Sequence, residues 1–156
     1  MFKKVLVAVD GSEHAKQAVS AAGGIASKFG AQLVIMHVMK RTGSDRIPDD
    51  LKELARVEHI EVTEAEALRS VADAIVGRAK DVAGSAGAKD IVAEIGAGSP
   101  TEQIIAYCKN KDVDLIVLGR RGLSDIASLF LGSVSHNVSQ FAPCACLTVP
   151  GSASTR

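Results

Sequence analysis

Short apolar runs alternate with amphipathic stretches along the whole 156-residue chain. Strands are expected at Lys4 to Val9, Leu33 to Val38, Ile91 to Ile95, Leu115 to Leu118 and Ala145 to Val149. Most of these runs are continuously apolar rather than alternating, the pattern of parallel strands covered on both faces. Helices are expected between them, at Glu13 to Phe29, Thr63 to Ala83, Thr101 to Lys109 and Val134 to Phe141. The second has the clearest stripe, with Leu68, Ala72, Ile75, Ala79 and Val82 at helical spacing behind a Thr63-to-Glu66 capping box. That stripe reads as core and carries no chemistry. Strands and helices in alternation make a single-domain α/β doubly wound sheet the economical fold.

Composition narrows this picture. Apolar residues make up 47% of the chain but aromatics only 3%, so a sizeable core must be filled by small aliphatics. One domain over residues 1–150 is expected, with 151–156 a disordered tail. Lys plus Arg balance Asp plus Glu at 18 each, and no basic run or aromatic-basic interleaving occurs. A nucleic-acid groove and an anionic membrane surface are therefore not expected, and any anion site must be local. The Val5 to Val9 run is too short for a signal peptide, and no stretch approaches the length of a membrane span. Cys108, Cys144 and Cys146 form no paired framework, so reduced thiols and a cytoplasmic location are expected. The Arg41 to Asp50 stretch is polar, contains Gly and Pro, and reads as a solvated connection, with a lid closing over a ligand as the alternative.

The helix starts differ in charge. Ser99, Pro100 and Glu102 form a capped start, and Ser12 with Glu13 places an acid at another. The last helix, opened by Gly132 and Ser133, has no carboxylate in its first turn, so its free N–H groups are available to an anion such as phosphate. Ahead of it, the Asp114 to Leu118 run stops at Gly119, and a second glycine follows at Gly122. The residues alone leave two readings open, a phosphate cradle or an ordinary Ser133 N-cap preceded by glycine turns.

The spacing, GxxG followed by nine residues and then GS, closely resembles the nucleotide-binding signature of the universal stress protein family in its ATP-binding branch. Lys4 to Ser12 is similar to that family's first strand and turn, and Ala142 to Cys144 with Leu147 to Val149 to its closing strand. The resemblance covers residues 1 to about 150 and implies a five-stranded parallel sheet in the order 3-2-1-4-5, Rossmann-like in its adenine-nucleotide binding. Strands 1 and 4 then flank the switch point, where open α/β sheets bind ligands.

The resemblance also implies roles. Ala8 and Val9 would offer backbone groups and a small wall beside adenine, with Val38 the other base contact. Asp10 would accept hydrogen bonds from the ribose hydroxyls, although a turn bond to Gly11 or Ser12 is its alternative. His37 is expected on the opposite face of strand 2. Leu118 would cap the base and Gly119 would let the backbone meet the ribose. Gly122, Gly132, Ser133, Val134 and Ser135 would hold the phosphates through N–H and hydroxyl donors. Arg120 and Arg121 are left out as solvent-facing. ATP is the implied cofactor, with Mg2+ held by its phosphates and water rather than by protein ligands. A homodimer through the Ala145 to Val149 edge is the implied assembly.

Competing motifs are weak. Gly96-Ala97-Gly98 starts like a dinucleotide fingerprint but has Thr101 where the last glycine belongs, and no GxxxxGK[ST] loop occurs. The four histidines are scattered, and Cys144 with Cys146 cannot complete a zinc site. No activated nucleophile or carboxylate pair is recognisable, so no catalytic residue is assigned. The leading expectation is an ATP-binding stress-response or regulatory module. A slow ATPase or autophosphorylating protein and a nucleotide-free scaffold are the alternatives.

Overall fold

A computed structural model describes residues 1–40, 56, 64–121 and 131–151. The element order is β1 (Lys4–Ala8), α1 (Glu13–Phe29), β2 (Gln32–Met39), α2 (Glu64–Ser85), β3 (Ile91–Ala97), α3 (Pro100–Asn110), β4 (Leu115–Gly119), α4 (Ser133–Phe141) and β5 (Ala145–Val149). The five strands form one parallel sheet in the order β3-β2-β1-β4-β5. Val5 pairs with Leu33 on one side and Leu115 on the other, so β1 is central and the winding reverses between β1 and β4. The Arg41 to Asp50 stretch, Thr63, Gly122 and residues 152–156 lie outside the described residues.

The continuous apolar runs divide their side chains between two cores. Val5, Val7, Leu33, Ile35, Leu115 and Val117 pack beneath α1 and α2. Leu6, Val34, Met36, Ile116 and Leu118 face α3 and α4 on the other side. Small residues fill the first core as composition requires, with Ala15, Ala18, Ala22 and Ala26 of α1 against Ala79 and Ala83 of α2. A Cβ on Gly23 would come within 2.9 Å of the Ala83 carbonyl oxygen, so glycine permits this close helix crossing. The centre of the expected α2 stripe, Ala72, Ile75 and Ala79, is buried. Ala67 and Ala83 are buried, whereas Leu68 and Val82 near the two ends are only partly so.

Local signals explain the boundaries. Ser12 caps α1 by accepting from the Ala15 N–H, and Gly30 closes it in the left-handed region at φ 63°. Strand β3 runs two residues past its expected end because Gly96 and Ala97 pair with Val38 and Met39. This pairing places Gly96 within the sheet and removes the dinucleotide-loop reading of Gly96-Ala97-Gly98. At the opposite end of the strands from the ligand crevice, Asp114 ties β1 to β4. Its Oδ2 accepts the Lys3 and Lys4 N–H groups at 2.7 and 2.8 Å. Among the described residues, no helix is long and apolar enough to cross a membrane.

Candidate functional site

At the carboxyl ends of β1, β2 and β4, a cleft opens at the switch point. Eleven residues were expected there. Gly122 lies outside the described residues, and the other ten all line this one cleft: Ala8, Val9, Asp10, Val38, Leu118, Gly119, Gly132, Ser133, Val134 and Ser135. They come from four elements and the turns after them, and the sheet topology is what brings them together. Met36, Lys40, Pro100, Ile104 and Arg121 also line it.

Several of these residues are committed in ways the sequence did not reveal. Val9 donates its N–H to the Met36 carbonyl at 2.9 Å, and its own carbonyl accepts from His37 Nδ1 at 2.8 Å. The bond to a carbonyl sets the His37 tautomer, with the proton on Nδ1. Val9 therefore contributes a wall, and its N–H is not available to a ligand. His37 buttresses the end of β1 from the neighbouring strand. Asp10 accepts the Ser12 N–H at 2.9 Å, so it holds the turn into α1, where Gly11 sits at φ 86°, while also lining the cleft.

Gly119 has a reason to be glycine that needs no ligand. A Cβ there would lie 2.7 Å from the His14 carbonyl carbon and 2.9 Å from the Ala15 nitrogen. The first turn of α1 thus fixes the residue, and the close approach is to helix backbone. Its carbonyl accepts the hydroxyl of Ser135, which is buried, and this bond joins the end of β4 to the first turn of α4. The Ser135 proton is used in that joint, so only the backbone N–H of this residue remains to donate to an anion.

The start of α4 also differs in detail from expectation. Gly132, not Ser133, is the N-cap, with φ −59° and ψ 157° and no side-chain cap bond. Ser133 is the first helical residue and no acid lies in the first turn. The initial N–H groups therefore face the cleft without a side-chain acceptor at the cap position. The excursion between Gly119 and Gly132 is pinned at its neck. Arg120 N–H bonds the Val149 carbonyl at 2.7 Å, and Gly132 N–H bonds the Arg120 carbonyl at 2.8 Å. Gly151, the first residue of the expected tail, donates to His14 Nδ1 at 2.9 Å.

The charge layout is asymmetric. Asp10 is the acid among the described lining residues, at the β1 end, whereas Lys40 and Arg121 bring two cations. Arg120 is exposed as expected, but Arg121 is not simply solvent-facing. Its Nε is buried and lacks a hydrogen-bond partner among the described residues. Sequence alone offered no way to separate adjacent arginines. Behind the cleft, on the α3 and α4 face, the three cysteines share one apolar core with Ile104, Leu118 and Val138. Burial and the neighbouring Cys144 push the Cys108 thiol up to about 12. Among the described residues no cluster of three or more His, Cys, Asp or Glu could hold a metal ion.

Residues 1–150 match the Universal stress protein family. The chain belongs to that family. Among curated relatives, it is 36% identical over 159 residues to universal stress protein YxiE of Bacillus subtilis, covering 96% of this chain and 99% of the relative. It is also 36% identical over 151 residues to a universal stress protein of Thermus aquaticus, with the same coverage. Among solved structures, it is similar to a universal stress protein in complex with cAMP, at 29% identity, TM-score 0.71 and coverage of 97% and 98%. Universal stress protein UspA of Lactobacillus plantarum gives 27% identity, TM-score 0.73 and coverage of 95% and 97%.

Proposed function

We propose that the switch-point cleft binds ATP and that this universal stress protein acts as a nucleotide-dependent stress-response or regulatory module. The observation that carries the reading is the convergence, in one cleft, of an apolar slot and an uncapped helix start. Ala8, Met36, Val38, Ile104 and Leu118 offer a slot for a purine. Gly132 and Ser133 open α4 beside it, with no first-turn acid to compete with phosphate. Asp10 borders the slot on the β1 side, where a ribose would lie between base and phosphates. Mg2+ would accompany the triphosphate through phosphate oxygens and water.

Binding, rather than turnover, fits this arrangement. The acid that lines the cleft, Asp10, is engaged with the Ser12 N–H, and no lining residue pairs with Ser133 as a base among the bonds described. Occupancy of the cleft is the signal in this reading, and a protein partner reads it. A second copy of the chain would pair along β5, the sheet edge on the β4 side, where Ala145 and Leu147 are exposed.

The test is to purify the protein without added nucleotide, denature it, identify released small molecules by mass spectrometry, and titrate the emptied, refolded protein with ATP by calorimetry. Release of ATP or a 1:1 ATP isotherm is expected. A protein that releases none and gives no heat with ATP would remove the reading.

A further inference from the structure

We infer that Arg121 is the residue by which this site selects a nucleotide with a phosphate chain over a cyclic monophosphate. The inference rests on the nucleotide reading above and deepens it.

The starting point is the buried Arg121 Nε, which has no hydrogen-bond partner among the described residues and belongs to a side chain lining the cleft. A buried donor left without an acceptor is costly, so such groups are normally paired. A guanidinium cannot relieve that cost by giving up its proton, because it stays charged at any physiological pH. An acceptor entering the cleft would satisfy it as the side chain turns to meet the ligand. The position narrows the kind of acceptor. Arg121 follows Arg120, whose backbone is held at the neck of the loop by Val149 and Gly132. That neck sits directly against the uncapped start of α4. The start of α4 and Arg121 therefore line the same cleft, with Lys40 also on its lining.

Charge then separates the candidate ligands. A cyclic nucleotide carries one negative charge on a diester with no terminal phosphate. A nucleoside di- or triphosphate ends in a monoester that carries about −1.5 to −2 by itself, with further charge on each bridging phosphate. The helix start supplies roughly half a positive charge, about half of what one diester calls for. Two further cations on the lining exceed what a diester can pair. The planar fork of arginine also suits a terminal phosphate, which presents several oxygens for bidentate contact. Lys40 is exposed and screened by water, so Arg121, partly buried and with its Nε out of solvent, carries the discrimination.

The experiment is calorimetric titration of the full chain with ATP, cAMP and adenosine, before and after Arg121→Gln, with circular dichroism to confirm folding. The wild type is expected to prefer ATP to cAMP. Arg121→Gln should weaken ATP binding by about 10- to 100-fold, the range for a charge-assisted bond, while cAMP and adenosine change by less than about threefold. Lys40→Gln should weaken ATP less than Arg121→Gln does. If Arg121→Gln does not fold, Arg121→Lys is measured instead, and the ATP-to-cAMP preference should fall because the fork is lost while the charge stays. An equal loss for ATP and cAMP, or an unchanged ratio, would overturn the inference and leave nucleotide binding standing. A wild type that binds none of the three ligands would overturn the nucleotide reading and this inference together.

Discussion

At the scale of single residues, Gly119 shows how a sequence signal can be right in place and different in cause. Its position in a glycine pattern marked the end of β4, but the reason for glycine is the His14–Ala15 backbone 2.7 to 2.9 Å from any Cβ. Gly119→Ala must therefore shift either β4 or the start of α1. Overpacking of this kind costs about 1–3 kcal/mol. The melting temperature should fall by about 2–4 °C for each kcal/mol in a chain of this size. Thermal unfolding of the nucleotide-free protein checks this, and an unchanged midpoint would mean the two backbones have room to part. The same residue marks the limit of legibility. Spacing in the chain pointed to Gly119, Gly132 and Ser135 as neighbours of one site, but which atoms are already spent depends on partners more than ten residues away. The Ser135 hydroxyl bound to the Gly119 carbonyl, the Val9 carbonyl bound to His37, and the Arg121 Nε without a partner among the described residues are all facts of that kind.

Among the elements, α4 is the one whose sequence separates folding from binding. Helix α1 has Ser12 and Glu13 at its start, and α3 has Ser99 with Pro100 and Glu102; α4 has Gly132 and no acid. This contrast was readable from the sequence because capping is local, and the expected helix began within one residue of the observed one. The identity of the cap was not, because choosing between Gly132 and Ser133 depends on backbone angles. Gly132→Asp exploits the difference. Aspartate is among the best N-caps and better than glycine by a few tenths of a kcal/mol, and the φ of −59° at this position suits it. It also places a carboxylate where a phosphate would sit. The melting temperature of the empty protein should hold or rise slightly, while ATP affinity falls by at least about tenfold, a difference of about 1.4 kcal/mol. Calorimetry beside a thermal melt measures both. A variant that is stable and still binds ATP as the parent does would remove α4 from the site.

For the molecule as a whole, two places away from the cleft set opposite limits on stability as pH changes: the Asp114 end of the sheet and the core on its α3 and α4 face. The acid limit comes from Asp114, whose carboxyl is held below its ordinary value mainly by the Lys4 N–H and then by the Lys3 N–H. A lowered folded value means that the tie between β1 and β4 stabilises fully above the unfolded value near 3.9. It is lost as pH falls through the lower folded value. The carboxylate is close to solvent, so screening keeps the contribution modest. The alkaline limit comes from the thiols packed between α3 and β5. Burial raises Cys108 from 9.0 to about 12, and burial is also the largest cause of the upward shifts of Cys144 and Cys146. Here the sign reverses. The unfolded chain loses these protons first, so stability is intact below about pH 9 and declines from there toward about 12. Thermal melts across this range should therefore show a plateau between the two limits. Asp114→Asn should lower the plateau and flatten its acid side, and Cys108→Ala should flatten its alkaline side. Profiles that run parallel to the wild type in both variants would place the limits in other groups.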